Sequence, residues 1–278
     1  MRRILILVIT IVATFSLVAC TRSTTDLGTI QEGKLVVGME VDYAPFNWQE
    51  TTANDYNWPV DGQEYFAAGY DVSVAISIAK ALDLELVIKE IEWDALLPNL
   101  QNNLIDLIVA GMSPTGERRQ HIDFTEAYYV TNHVVIARTG SELANITSLD
   151  QLAGAKGQGQ SGTIYATLVD RMRTEHGAIV DEDNHQSSVP IIVNLMLNGQ
   201  IDFSIVEKPV ALGIVHMNEN ITIALDNDNM FNLSAEAREV SIGLRKNSDE
   251  LKKRINDALA SITTEMRTAW MNDAIERQ

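Results

Sequence analysis

The chain has 278 residues, 38 of them acidic and 21 basic, for a formal charge of −17 at neutral pH. So acidic a surface repels polyanions, which argues against nucleic acid or an anionic membrane surface as a partner. The single cysteine, Cys20, excludes an intramolecular disulfide.

The first nineteen residues form a separate object. Arg2 and Arg3 precede a nearly unbroken apolar run from Ile4 to Val18, and the stretch closes on Leu17-Val18-Ala19-Cys20. A basic start, a short apolar middle and a small-residue end predict an export signal (1–19) rather than a spanning helix. The ending resembles a bacterial lipobox, which implies cleavage before Cys20, a lipid on its sulfur, and a place on the outer face of the cell membrane or its periplasmic side. With Arg2 and Arg3 removed from the 21 basic residues, 19 would face 38 acidic ones, a formal charge of −19. Residues 20–29, rich in Ser and Thr, read as a flexible tether.

From Lys34 short apolar runs alternate with amphipathic segments. Leu35 to Met39 predicts a strand. Asp71 is placed to cap a helix whose apolar positions, Val72, Ala75, Ile76, Ala79 and Leu82, recur at helical spacing. Leu84 to Ile88 predicts a second strand, Asp94 to Asn102 a short helix, and Asp106 to Met112 a third strand. Such β-α-β-α-β order predicts an open, mainly parallel sheet with helices on its faces. Gln49 to Ala68, with Tyr56, Trp58, Tyr65 and Phe66, reads as a surface excursion packed by its own aromatics.

A second series follows. His133 to Arg138 is expected to be extended, Leu149 to Leu152 helical, Ala155 to Gln160 a strand, Thr163 to Glu175 and Val189 to Asn198 helices, and Asp202 to Val206 a strand. Glu239 to Leu244 is again extended, and Asp249 to Trp270 reads as one long terminal helix. Two α/β series joined by two extended segments predict two lobes with a double crossing between them.

The stretch from Ile105 to Tyr129, IDLIVAGMSPTGERRQHIDFTEAYY, carries the chemistry. An apolar run breaks at Gly111 into a polar loop with Ser113, Thr115 and Arg118. At the carboxyl end of a parallel strand such a loop faces the crevice where ligands bind. Arginine's planar fork matches a carboxylate with two parallel hydrogen bonds, so a small carboxylate ligand is expected. The ordered parts Ala110-Gly111-x-Ser113, Thr115-x-Glu117-Arg118 and Asp123-Phe124-Thr125-x-x-Tyr128-Tyr129 resemble the signature of extracellular solute-binding proteins of the polar amino-acid type (family 3), which serve ABC importers.

That resemblance implies an α/β, two-lobed, type II periplasmic-binding-protein-like fold with a double-crossover hinge. It assigns 30–127 and 243–278 to the first lobe, 133–237 to the second, and 128–132 and 238–242 to the hinges. It implies that Arg118 and Ser113 hold a ligand α-carboxylate and the Gly111 carbonyl its ammonium. Gly154 and Gly162 keep the family's eight-residue spacing, so Thr163 and the Ile164 amide would reach the same carboxylate from a helix N-terminus. Glu207 falls where the family has an acid for the α-ammonium. Tyr43 and Trp93 fall where two rings sandwich the aliphatic stem, and Glu40 and Gln160 beside the ligand side chain, which suits a polar or cationic L-amino acid.

The implied partners are that amino acid, an ABC permease and, through Cys20, lipid, with the protein a monomer. No cofactor is implied. His121, His133, His176, His185 and His216 show no metal-ligand spacing, and Gly159-Gln160-Ser161-Gly162 lacks the partners of a nucleophile elbow. Some proteins of this resemblance are arogenate-type dehydratases and others are ligand sensors. Uptake without catalysis is the expectation here.

Overall fold

The computed structural model describes residues 27–278. The expected signal segment and Cys20 lie outside them, as does most of the expected tether.

Two five-stranded sheets organise the described residues. The first runs in the order Glu85–Glu90, Lys34–Met39, Leu107–Ile108, Glu239–Leu244, Asp123–Val130. The second runs Ile179–Val180, Lys156–Gly157, Phe203–Glu207, His133–Arg138, Ile221–Leu225. Both follow one pattern: three parallel strands, then a reversed strand, then a strand antiparallel to that one. In each sheet the reversed strand is the one that arrives from the other sheet. The chain leaves the first through Asp123–Val130 and enters the second along His133–Arg138, then returns through the short helix Ala235–Arg238 into Glu239–Leu244. A backbone bond from Thr131 to the Arg238 carbonyl, 2.9 Å, ties the two passages together.

Several predicted elements shift in ways that have local causes. The run from Asp106 to Met112 pairs as a strand only at Leu107–Ile108, but the Asp106 and Val109 amides still bond to the Val36 and Gly38 carbonyls and Ser241 to Met112. The Ala155 to Gln160 strand shortens likewise to Lys156–Gly157, and Leu149–Leu152 is a 3-10 turn.

Asp71 does not cap its helix. Tyr70–Leu82 begins after Gly69, and the Asp71 carboxylate is buried, accepting hydrogen bonds from the Tyr128 hydroxyl (2.6 Å) and Asn47 Nδ2 (2.9 Å). Val74 and Ile78 join the buried face of that helix, while Ile76 is half-buried.

The terminal helix is two helices, Asp249–Ser261 and Thr264–Arg277. Thr263 caps the second by accepting from the Met266 amide. The carbonyls freed at the break are caught by the Arg267 guanidinium, which donates to Leu259 (2.7 Å) and Ile262 (3.1 Å) and also to Ala127 and Tyr128 on the strand leading out of the first sheet. Helix Lys208–Met217 and strand Ile221–Leu225 had no counterpart in the sequence reading.

The excursion is ordered. Asn47–Glu50, Asn57–Pro59 and Phe66–Ala68 form, with Asp42–Tyr43, a small antiparallel sheet. Its aromatics fasten it to the first lobe: Trp58 Nε1 donates to the Leu86 carbonyl at 3.0 Å, and the Tyr65 hydroxyl to the Glu90 carboxylate.

Candidate functional site

The cleft between the two sheets is built from strand ends. Glu40 follows Lys34–Met39, and Ala110, Gly111 and Ser113 follow Leu107–Ile108. Glu207 ends Phe203–Glu207, and Gln160, Thr163 and Ile164 lead into helix Ile164–His176. These side chains, with Tyr43, Trp93, Arg118, His133 and Tyr165, line one cavity of about 330 Å³ of interatomic space, part of it open to solvent. All ten residues singled out from the sequence therefore lie together. Tyr165 and His133 are additional members; Tyr165 stands in the first turn behind Thr163, and its neighbours across the cleft lie more than a hundred residues away in sequence.

Gly111 shows why the strand must break there. Its φ is +60°, and a Cβ would stand 2.5 Å from Tyr43 Cε1. Only glycine takes that backbone without strain and leaves room for the ring. Behind it, the Gly111 amide donates to the Tyr128 hydroxyl at 3.2 Å, and that hydroxyl donates to Asp71. The tyrosine of the Asp123 to Tyr129 motif thus holds the glycine loop from the rear.

Arg118 lies in the short helix Gly116–His121, whose cap Thr115 accepts from the Arg118 amide. Its guanidinium donates to the Ser113 carbonyl (2.9 Å) and, across the cleft, to the Gly162 carbonyl (3.0 Å). It lies 5.0 Å from the Trp93 ring centroid, and Trp93 Nε1 donates to the same Gly162 carbonyl at 3.3 Å. Burial pulls its pKa down to about 10, with Glu117 and Glu207 acting the other way, so it stays charged at neutral pH. Gly162 has φ +66°, and a Cβ there would meet Asp94 Oδ1 at 3.0 Å and Trp93 Nε1 at 3.3 Å.

On the opposite wall Glu207 is 2 % exposed and accepts from the Tyr43 hydroxyl at 2.9 Å. The Tyr43 and Tyr165 hydroxyls bond to each other, and Tyr165 also bonds to Glu207. Burial pushes the Glu207 carboxyl up to about 7 although both phenols stabilise its charge. Tyr43 therefore does more than present a ring face. It stacks on Phe46 with centroids 5.4 Å apart and reaches the second lobe with its hydroxyl.

Glu40 is also buried and accepts from Gln160 Nε2 at 2.8 Å, a further bridge between lobes. Its pKa is raised well above the usual range by burial first and then by Asp42, with Glu92 and Asp94 adding to it. Asp42, bonded to Ser188, is pushed up to about 6 by burial and by Glu92. Acidic groups thus crowd this part of the cleft and favour a cation. Thr163 caps its helix, accepting from the Tyr165 amide and donating to the Gln160 carbonyl at 2.7 Å. Its hydroxyl is engaged locally, and the first helical amides, Ile164 among them, have no partner within the helix.

Among the described residues no group of three or more His, Cys, Asp or Glu is arranged to hold a metal ion.

The family model of bacterial extracellular solute-binding proteins, family 3, matches residues 35–273. The arginine-binding extracellular protein ArtP of Bacillus subtilis is 29% identical over 259 residues, covering 93% of this chain and 92% of that protein. The L-cystine-binding protein TcyJ of Escherichia coli is 27% identical over 233 residues, covering 84% and 78%. Among solved structures, the amino-acid ABC transporter substrate-binding protein AbpA of Streptococcus pneumoniae bound to L-arginine superposes with a TM-score of 0.73 at 27% identity, covering 88% of this chain and 95% of that one.

Proposed function

The chain belongs to the bacterial extracellular solute-binding proteins of family 3, and from that premise we propose that it captures a cationic L-amino acid, arginine foremost, and delivers it to an ABC permease. One observation carries the choice of ligand: the charged side chains lining the cleft are one cation, Arg118, and two buried acids, Glu40 and Glu207. A ligand with one carboxylate and two cationic groups complements that set. In this reading Arg118, Ser113, Thr163 and the Ile164 amide take the α-carboxylate, and Glu207 with the Gly111 carbonyl takes the α-ammonium. Glu40 and Gln160 take the side-chain cation, and Tyr43 and Trp93 flank the stem. A second carboxylate on the ligand would lack a matching cation.

A ligand gripped by groups from both lobes binds the closed arrangement better and shifts the population toward it. Residues 128–132 and 238–242 serve as the hinges, with 30–127 and 243–278 moving against 133–237. Export by the first nineteen residues and a lipid on Cys20 would hold the protein at the membrane that carries the permease. The protein acts as a monomer and leaves its ligand chemically unchanged.

A thermal-shift screen of the protein without its first nineteen residues, against the twenty amino acids, cystine and arogenate, tests the reading. A ligand at about a hundred times its dissociation constant adds roughly 2.7 kcal/mol, a rise of several degrees for a chain of this size. L-Arginine and L-lysine are expected to give it. A shift by glutamate or cystine alone would overturn the cationic assignment, and turnover of arogenate would overturn the binding function.

A further inference from the structure

His133 opens the first strand of the second sheet and lines the cleft. Its side chain is 3 % exposed, and neither ring nitrogen has a hydrogen-bond partner. The antiparallel ladder sets it directly opposite Glu207, so both side chains leave the sheet on the same face. Beside it the Tyr165 ring stands edge-on, centroids 5.6 Å apart, with its hydroxyl committed to Tyr43 and Glu207.

Two unpaired nitrogens this deeply buried are costly, and such groups in folded proteins call for an explanation. Burial, and then Arg238, hold the imidazole pKa down to about 4. At neutral pH the ring is therefore uncharged, with one acceptor nitrogen and one N–H. A primary ammonium has three N–H donors; with one directed to the Glu207 carboxylate and one to the Gly111 carbonyl, the third is left for another acceptor.

We propose that His133 is a specificity-determining residue of the cleft, its acceptor nitrogen receiving a hydrogen bond from the ligand's primary α-ammonium next to Glu207. The inference rests on the amino-acid-binding reading above. It adds that recognition of the amine end is shared between an acid and a neutral imidazole, which selects primary amines over ligands that lack one.

The test pairs two ligands with two variants. Calorimetry measures wild type, His133→Leu and His133→Gln against L-arginine and against its deaminated analogue, δ-guanidinovalerate. His133→Leu is expected to weaken L-arginine by about tenfold or more, as loss of a hydrogen bond to a charged group does. It should change the analogue by less than about twofold, and His133→Gln should recover part of the loss. In wild-type protein the His133 ring nitrogen resonances should shift when L-arginine binds and stay in place with the analogue, a readout that stands even if the leucine variant does not fold. Wild-type affinity in His133→Leu, equal losses for both ligands, or ring resonances indifferent to L-arginine would each overturn the assignment. Failure of wild type to bind any amino acid would instead overturn the functional reading.

Discussion

Tyr43 and Glu207 stand on opposite walls of the cleft, 164 residues apart in sequence, and are joined by a hydrogen bond of 2.9 Å. The same Tyr43 ring covers Gly111 and stacks on Phe46. Tyr43→Phe would keep the stacking and delete the hydroxyl that crosses to Glu207 and to Tyr165. Because the bond to Glu207 favours the charged carboxylate, its loss raises the Glu207 pKa beyond about 7. Less of the carboxylate is then ionised at neutral pH to meet an ammonium. The variant should bind L-arginine several-fold more weakly at neutral pH and regain part of the loss as pH rises above about 8. Calorimetric titrations across that range decide it, and a pH-independent loss would show that the hydroxyl acts other than through the ionisation of Glu207.

Arg118 is the counterpart at the carboxylate end. Removing one partner of a desolvated charge pair costs about 2 to 5 kcal/mol of binding, so Arg118→Ala should lower affinity by at least some thirtyfold. Arg118→Lys keeps a charge but loses the fork that reaches both the Ser113 and Gly162 carbonyls, and should fall in between. Unchanged affinity in the alanine variant would remove Arg118 from the site.

The acids in and beside the cleft link binding to protons. Asp42 is pushed up to about 6, Glu207 to about 7 and Glu40 higher than usual, all chiefly by burial. A folded pKa above the unfolded one means that the native state holds its proton more tightly. The stability these groups contribute is therefore complete below about pH 4 and is lost as pH rises through 6 to 7. Exposed acids such as Asp150 and Glu175 shift downward, with the opposite sign, but solvent screens them. A bound cation draws the cleft acids back toward ionisation, so binding L-arginine near pH 6 should release protons and affinity should rise with pH across that window. Titrations in buffers of different ionisation enthalpy read the release directly. Proton uptake would reverse the assignment of a cation to the acidic part of the cleft.

Much of this site was legible because its residues sit at the ends of strands and in short ordered motifs. Gly111, Ser113 and Arg118 announce themselves within eight positions, and a polar loop after an apolar run has few other uses. Tyr165 and His133 were not legible for a physical reason: a buried tyrosine in a first helical turn and a histidine opening a strand look like core until the opposite wall is known. Asp71 misled because an acid at the start of a helix suits both a cap and a buried acceptor. The break at Thr263 was written in a Ser-x-Thr stretch, yet the periodicity of the terminal helix ran on across it, and the Thr263 cap together with Arg267 at the Leu259 and Ile262 carbonyls holds the interruption.

The excursion between Gln49 and Ala68 supplies the remaining test, because none of its residues lines the cleft. It is clamped from the far end of the chain. Arg277 pairs with Glu50 at 2.9 Å, lies 4.8 Å from the Tyr56 ring centroid and bonds to Asp273 on its own helix. The Arg277 and Glu50 side chains are only 23% and 18% exposed, so the pair is worth more than a surface ion pair. Arg277→Ala should cost about 1 to 3 kcal/mol, a fall in melting temperature of several degrees, with faster hydrogen exchange between Glu50 and Phe66. Affinity for L-arginine should stay within about twofold of wild type, since a change of 1.4 kcal/mol would be needed for tenfold. A tenfold loss of affinity would mean that the small sheet acts on the cleft through Asp42 and Tyr43, which form its edge strand against Asn47–Glu50, and that the clamp from Arg277 sets the position of the ligand-facing ring.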